Sequence, residues 1–104
     1  MAQYDVHLNP GASAGDGIPY AAVIQSDLLD ALSTGLTMPL AAMTFAGKVP
    51  SALCPLMMIK GQRMHALVRL AAPLPAKLMR KPVDNVAAQA SALFTAMDVV
   101  LSGV

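Results

Sequence analysis

The chain has 104 residues, 56% of them hydrophobic and 12% charged, with a formal net charge of +1. That balance excludes the strongly basic face that an electrostatic grip on nucleic acid requires, so no direct sequence-specific nucleic-acid binding is expected. A bilayer-spanning helix needs about 20 consecutive apolar residues, and the longest uncharged stretch, residues 31–47, is broken by Ser33, Thr34, Gly35, Thr37, Pro39 and Thr44.

In chain order, residues 4–8 alternate Tyr, Val, Leu with Asp and His, the pattern of a half-buried strand. Residues 9–19, rich in Gly and Pro, read as a mobile loop. Residues 20–25 form a short apolar run that pairs back on the first strand, and Leu28-Leu29-Asp30 begins a turn. Residues 36–43 read as a third strand in which Pro39 leaves a gap in the ladder or marks an edge. Residues 56–60 and 63–70 form a hairpin joined through Gly61-Gln62. In its second arm Met64, Ala66, Val68 and Leu70 take one side, and Arg63, His65, Leu67 and Arg69 the other.

Pro73 and Pro75 then prevent any long element, residues 76–79 are one more short strand, and Asp84 or Asn85 caps a terminal helix. In that helix Val86, Ala90, Leu93, Phe94, Met97, Val100 and Leu101 share one face. Ser91, Thr95, Asp98 and Ser102 form a narrow polar stripe, and Ala88, Ala92 and Val99 an apolar flank. So thin a polar stripe predicts a helix that packs on its own domain and meets a partner, with its carboxyl end outward. Strands first and a helix last give one domain, residues 1–104: a mainly β, small antiparallel barrel with a C-terminal helix. The surplus of apolar residues predicts a homodimer with a sizeable shared face.

Few groups invite chemistry. Cys54, between Leu53 and Pro55 with no neighbouring base, reads as a buried inert thiol. His7 and His65 lack metal-ligand spacing, so neither metal nor cofactor is expected. Asp27 and Asp30 fall in a turn and cap backbone groups. Arg63, His65 and Arg69 share one face of a strand, where three such groups could clamp a phosphodiester; the same alternation describes a solvated outer face. Asp98 opposes the helix dipole. The single cysteine and the lack of an apolar leader in residues 1–8 point to the cytoplasm.

Gln25-Ser26-Asp27 followed by Leu28 and Leu29, then Met38-Pro39-Leu40-Ala41, then Leu53-x-Pro55 before an apolar strand ending at Ile59, and the final Gly103 plus an aliphatic stand in the order of a known family. With these motifs the chain resembles the CcdB family of toxins, which poison DNA gyrase. The resemblance implies a homodimeric SH3-like barrel whose helix ends enter the A subunit of gyrase and trap the cleaved-DNA complex, and whose effect a cognate antitoxin reverses. It implies no catalysis. The target-binding residues it indicates are Leu28, Leu29, Gly103 and Val104; we add Ser102 from its place at the helix tip. The family's tryptophan before that glycine is Ser102 here, and the aromatic preceding it is Leu101. One rival reading is a sequence-selective endoribonuclease of the MazF/Kid type, which shares the barrel and would recruit Arg63, His65 and Arg69; the other is a non-toxic or retargeted member of the resembled family, because its tryptophan is Ser102 here.

Overall fold

The computed structural model describes residues 2–25, 34–45, 54–79 and 81–102. They form strands β1 (Asp5–Leu8), β2 (Tyr20–Val23), β3 (Thr34–Ala42), β4 (Leu56–Ile59), β5 (Gln62–Ala66), β6 (Ala72–Pro75) and β7 (Asp84–Asn85), then helix α1 (Ala90–Ser102). All pairings are antiparallel, in the order β4-β5-β3-β2-β1-β7, with β6 beside β3. The sheet curls into a nearly closed barrel, the mainly β fold that the sequence predicts. Alternation fixes its inner face. Val6, Ala22 and Met38 lie opposite one another across three strands, as do Leu40 and Ala66, and Met57 and Met64. Leu93 and Ala96 of α1 complete this core.

Prolines sit where the ladders do not need them. The N–H of Ile24 donates to Leu36 O, so Leu36 faces β2 and its opposite residue on β6, Pro73, turns its nitrogen to the free edge. Pro75, opposite Thr34, does the same, which is why two prolines are tolerated in a four-residue strand. Pro39 lies where β3 changes partner, from β6 at Thr37 to β5 at Leu40. There its carbonyl still accepts the Leu67 N–H at 2.9 Å.

Several expected boundaries move. The strand read over residues 63–70 stops at Ala66, because Leu67 leaves the extended region (φ −84°, ψ 75°) and Val68–Leu70 is a 3-10 turn. Residues 76–79 contain the 3-10 turn Ala76–Leu78 and no strand. The hairpin turns on Lys60-Gly61, one residue earlier than read, with φ of 52° and 81°. Two positive φ values match the twist of the flanking strands. The loop over residues 9–19 is tied down. Asn9 Nδ2 donates to Ser13 Oγ and to Ile18 O, and its Oδ1 accepts from Gly11 N–H. Gly17, at φ 94°, lies so close to Phe45 that an added Cβ would stand 3.1 Å from that residue's Cα.

The helix begins later than read. Asn85 Oδ1 accepts from Ala87 N–H, and the 3-10 turn Ala87–Gln89 precedes Ala90. With three residues per turn, that segment shifts the phase of the face that follows. Leu93 and Ala96 are buried, while Phe94, expected inside, is 56% exposed and meets Tyr4 edge-on at a ring-centroid distance of 6.0 Å.

Side chains close the barrel between β4 and β7. Gln89 Oε1 accepts from Met58 N–H at 2.9 Å, and its Nε2 donates to Met58 O at 3.2 Å. Asp84 accepts from Lys60 N–H at 2.7 Å and from Asn85 N–H at 2.8 Å, and these bonds hold its carboxyl below the usual range. On the outer face of β1, His7 is 2% exposed and neither ring nitrogen finds a hydrogen-bond partner among the described residues. Burial therefore lowers its pKa, against the smaller opposing pulls of the Asp5 charge and the Lys81 main chain.

Two outcomes follow from these contacts. Gln89→Ala should cost about 1 kcal/mol, the net worth of solvent-accessible hydrogen bonds, read as a lower urea midpoint; Gln89→Glu, which keeps the acceptor and loses the donor, should fall between. An unchanged midpoint would remove the seam's energetic role. The unfolded chain binds a proton at His7 below about pH 6.5, while the folded ring resists it. Stability is thus full above that pH and declines as pH falls, and His7→Leu should flatten the decline between the neutral range and the onset of carboxylate protonation near pH 4. The same slope in the variant would refute this.

Candidate functional site

The helix that the sequence nominates as the contact element is built from the barrel outward. Its entry is fixed at Gln89 by the Met58 main chain. Its first turns are anchored by Leu93 and Ala96, with Met97 partly buried against the same core. The helix also packs on the Val68–Leu70 turn. Ser91, Thr95 and Asp98 of the polar stripe are exposed, as are Ala88 and Ala92 of the apolar flank, so these residues face away from the barrel. The Thr95 hydroxyl donates to Ser91 O at 3.0 Å, which leaves Asp98 as the charged group of this face. Ser102 ends the described helix. Leu28, Leu29, Gly103 and Val104 lie outside the described residues.

The structure divides the expected cationic face. Arg63 and His65 stand on the outer face of β5, opposite Met58 and Leu56 of β4. Arg69 sits on the turn beyond the strand's end, and buried Leu67 lies between it and His65 in sequence. Yet both His65 and Arg69 act on Cys54. His65 Nδ1 is 3.3 Å from Cys54 O, and the Arg69 charge acts on the thiol. Burial outweighs that charge and pushes the thiol pKa up, so Cys54, 4% exposed, stays protonated within the small outer cluster of Ile18, Ala41 and Leu67. Among the described residues no three His, Cys, Asp or Glu side chains gather as a metal site would need, and no helix is long and apolar enough to cross a membrane.

A second concave feature went unread in the sequence. Between the loop after β1 and the segment around β6, the outer face of β2 and β3 forms a cavity of about 300 Å³. Ile18, Ala21, Pro39, Leu70 and Leu74 form its apolar walls, and Asn9 lies at its edge. The signal in the sequence was weak, since each wall residue is an ordinary aliphatic and only the loop's internal bonding brings them together.

The sequence model of the CcdB protein family matches residues 3–103. Among curated proteins, no sequence matches significantly. Among solved structures, a mycobacterial endoribonuclease in complex with its cognate antitoxin superimposes with a TM-score of 0.77 at 10% identity, over 98% of this chain and 95% of that one. At such identity the likeness is one of fold. The family match spans nearly the whole sequence, and the chain belongs to the CcdB family, whose members are the toxins of toxin–antitoxin modules.

Proposed function

We propose that this CcdB-family chain is a homodimeric toxin that binds the A subunit of DNA gyrase through its helix ends, traps the DNA-cleavage complex, and is neutralised by a cognate antitoxin. It acts by binding and not by catalysis. The observation that carries the reading is the family match over residues 3–103. The contact patch comprises Leu28, Leu29, Ser102, Gly103 and Val104. With Ser102 in the place of an aromatic anchor, worth about 2 kcal/mol or more at an interface hot spot, affinity for gyrase falls on the order of 30-fold below that of a tryptophan-bearing relative.

Support for the dimer comes from exposed apolar side chains on the outer face of the barrel. Leu56 and Met58 of β4 are 51% and 47% exposed and sit beside Arg63 and His65. The free edge of β4 is already occupied by Gln89, so a second copy packs against this face and does not extend the sheet. Met58→Asp should convert a dimer into a monomer in sedimentation at micromolar concentration without unfolding it. A variant that stays dimeric would move the interface elsewhere.

One observation favours a second reading. His65 Nδ1 lies against Cys54 O, the Arg69 charge acts on the same thiol, and a solved structure of like fold is an endoribonuclease. One set of experiments separates the two. A short extension after Val104 should abolish growth arrest and gyrase inhibition while leaving the urea midpoint unchanged; an extended chain that still arrests growth defeats the helix-tip mechanism. Purified protein should leave RNA intact. Cleavage that vanishes in Arg69→Ala would establish the enzyme instead.

A further inference from the structure

The outer face of β1 holds a group with no local reason to be buried. His7 stands opposite Ala21 of β2, on the face away from the buried Val6, and is only 2% exposed. Neither ring nitrogen finds a partner within hydrogen-bond geometry among the described residues. A neutral imidazole brings one donor and one acceptor, and burial removes the water that would satisfy them.

The cover comes from the connection between β6 and β7. The chain leaves the sheet beside β3 and re-enters it beside β1, and on the way the Lys81 main chain comes against the His7 ring. The two ends of this connection are well held. β6 pairs with β3 from Ala72 to Pro75, and the Val86 N–H donates to Tyr4 O at 2.9 Å. Between them the attachment to β1 is slight. The turn Ala76–Leu78 bonds to itself, through Met79 N–H and Ala76 O, and Pro82 has no N–H to give. Among the described residues, the main-chain bond that ties residues 76–83 to β1 runs from Val83 N–H to Val6 O, at 2.7 Å. Burial of Met79 and of part of Val83 keeps the segment down while the ring is neutral.

A proton at His7 shifts that balance, because it places a charge where water is excluded. The Asp5 carboxylate, on the same strand, favours the charged ring, as does the Lys81 main chain, and the amino-terminal charge opposes it. β2 brings Ala21 and no charge to this position, and the Lys81 side chain is exposed. Asp84 of β7 is engaged by the N–H groups of Lys60 and Asn85. Burial outweighs the favourable pulls, so hydrating the cation requires the segment to lift.

We propose that the connection between β6 and β7 is a pH-sensitive strap: a proton taken from solvent by His7 releases it from the outer face of β1, which hydrates the imidazolium and leaves the barrel folded. Release breaks the Val83–Val6 bond and keeps the pairing of β1 with β2. The strap is independent of what the chain binds.

The test is amide hydrogen exchange, followed by NMR on the isotope-labelled full chain at about pH 7 and about pH 5.5 and corrected for intrinsic exchange rates. Protection of the Val83 N–H should fall about tenfold at the lower pH, the ratio set by a ring that titrates near 6.5 once released. The Leu67 N–H, which donates to Pro39 O within the barrel, should keep its protection. His7→Leu and His7→Gln, both neutral at either pH, should each hold Val83 protection constant; the second retains a polar side chain should the first not fold. An equal loss at Val83 in a folded variant, no loss in the native chain, or a parallel loss at Leu67 would each overturn the strap.

Discussion

The barrel depends on two side chains that do the work of a missing strand pairing. β4 and β7 are the two ends of the sheet, and no main-chain ladder joins them. A primary amide offers the same donor and acceptor as a peptide group, so Gln89 can satisfy Met58 as a neighbouring strand would. Asp84 meets the Lys60 N–H at the start of the left-handed turn, binding the hairpin tip to β7. Because Gln89 directly precedes Ala90, the bond that closes the sheet also fixes the start of the helix. The same amide occupies an edge that would otherwise be open to pairing with another chain.

A sheet this apolar needs both of its faces covered. The inner face carries Val6, Met38, Leu40, Met57, Ile59 and Met64, and α1 closes it. The outer face is not simply solvated: Ala21, Val23, Thr37 and Ala41 are each 2% exposed or less, along with His7. The loop after β1 is held over part of this surface by the Asn9 bonds and by the close approach of Gly17 to Phe45. High hydropathy therefore has a source besides a dimer interface, namely a second, smaller cluster around Ile18, Ala41, Cys54 and Leu67. His7 bears the cost of that cover, as a buried imidazole whose burial disfavours its charged form.

Local pattern revealed what local pattern controls. β1, β2, β3 and the β4–β5 hairpin were legible because alternation and turn residues mark them, and Cys54 was legible as an inert thiol because its neighbours are apolar. Where tertiary pairing decides, the sequence misled. Alternation continues through Val68 and Leu70, but the chain turns at Leu67, leaving Leu70 55% exposed and Arg69 off the strand. Pro73 and Pro75 do keep the element short, but that a strand forms there at all depends on a register that turns their nitrogens to the free edge. Counting 3.6 residues per turn from Val86 puts Phe94 on one face with Leu93, but the intervening 3-10 turn winds more tightly, and Phe94 is exposed where Leu93 is buried. Of the contact patch, only the backbone end of the helix at Ser102 falls within the described residues, while its fixed entry at Gln89 could not have been found from spacing.

The net charge of +1 is a sum over a sequence in which all seven Lys and Arg residues fall within residues 31–83 and all six aspartates outside them. At physiological ionic strength a partner senses charges within about 8 Å, so where the charges stand matters more than their sum. The lining of the outer cavity adds little polarity: its walls are aliphatic, and the Asn9 amide and the Thr37 hydroxyl bond within the protein. Charge sets how fast a partner arrives, and the fit of the contact surface sets how long it stays.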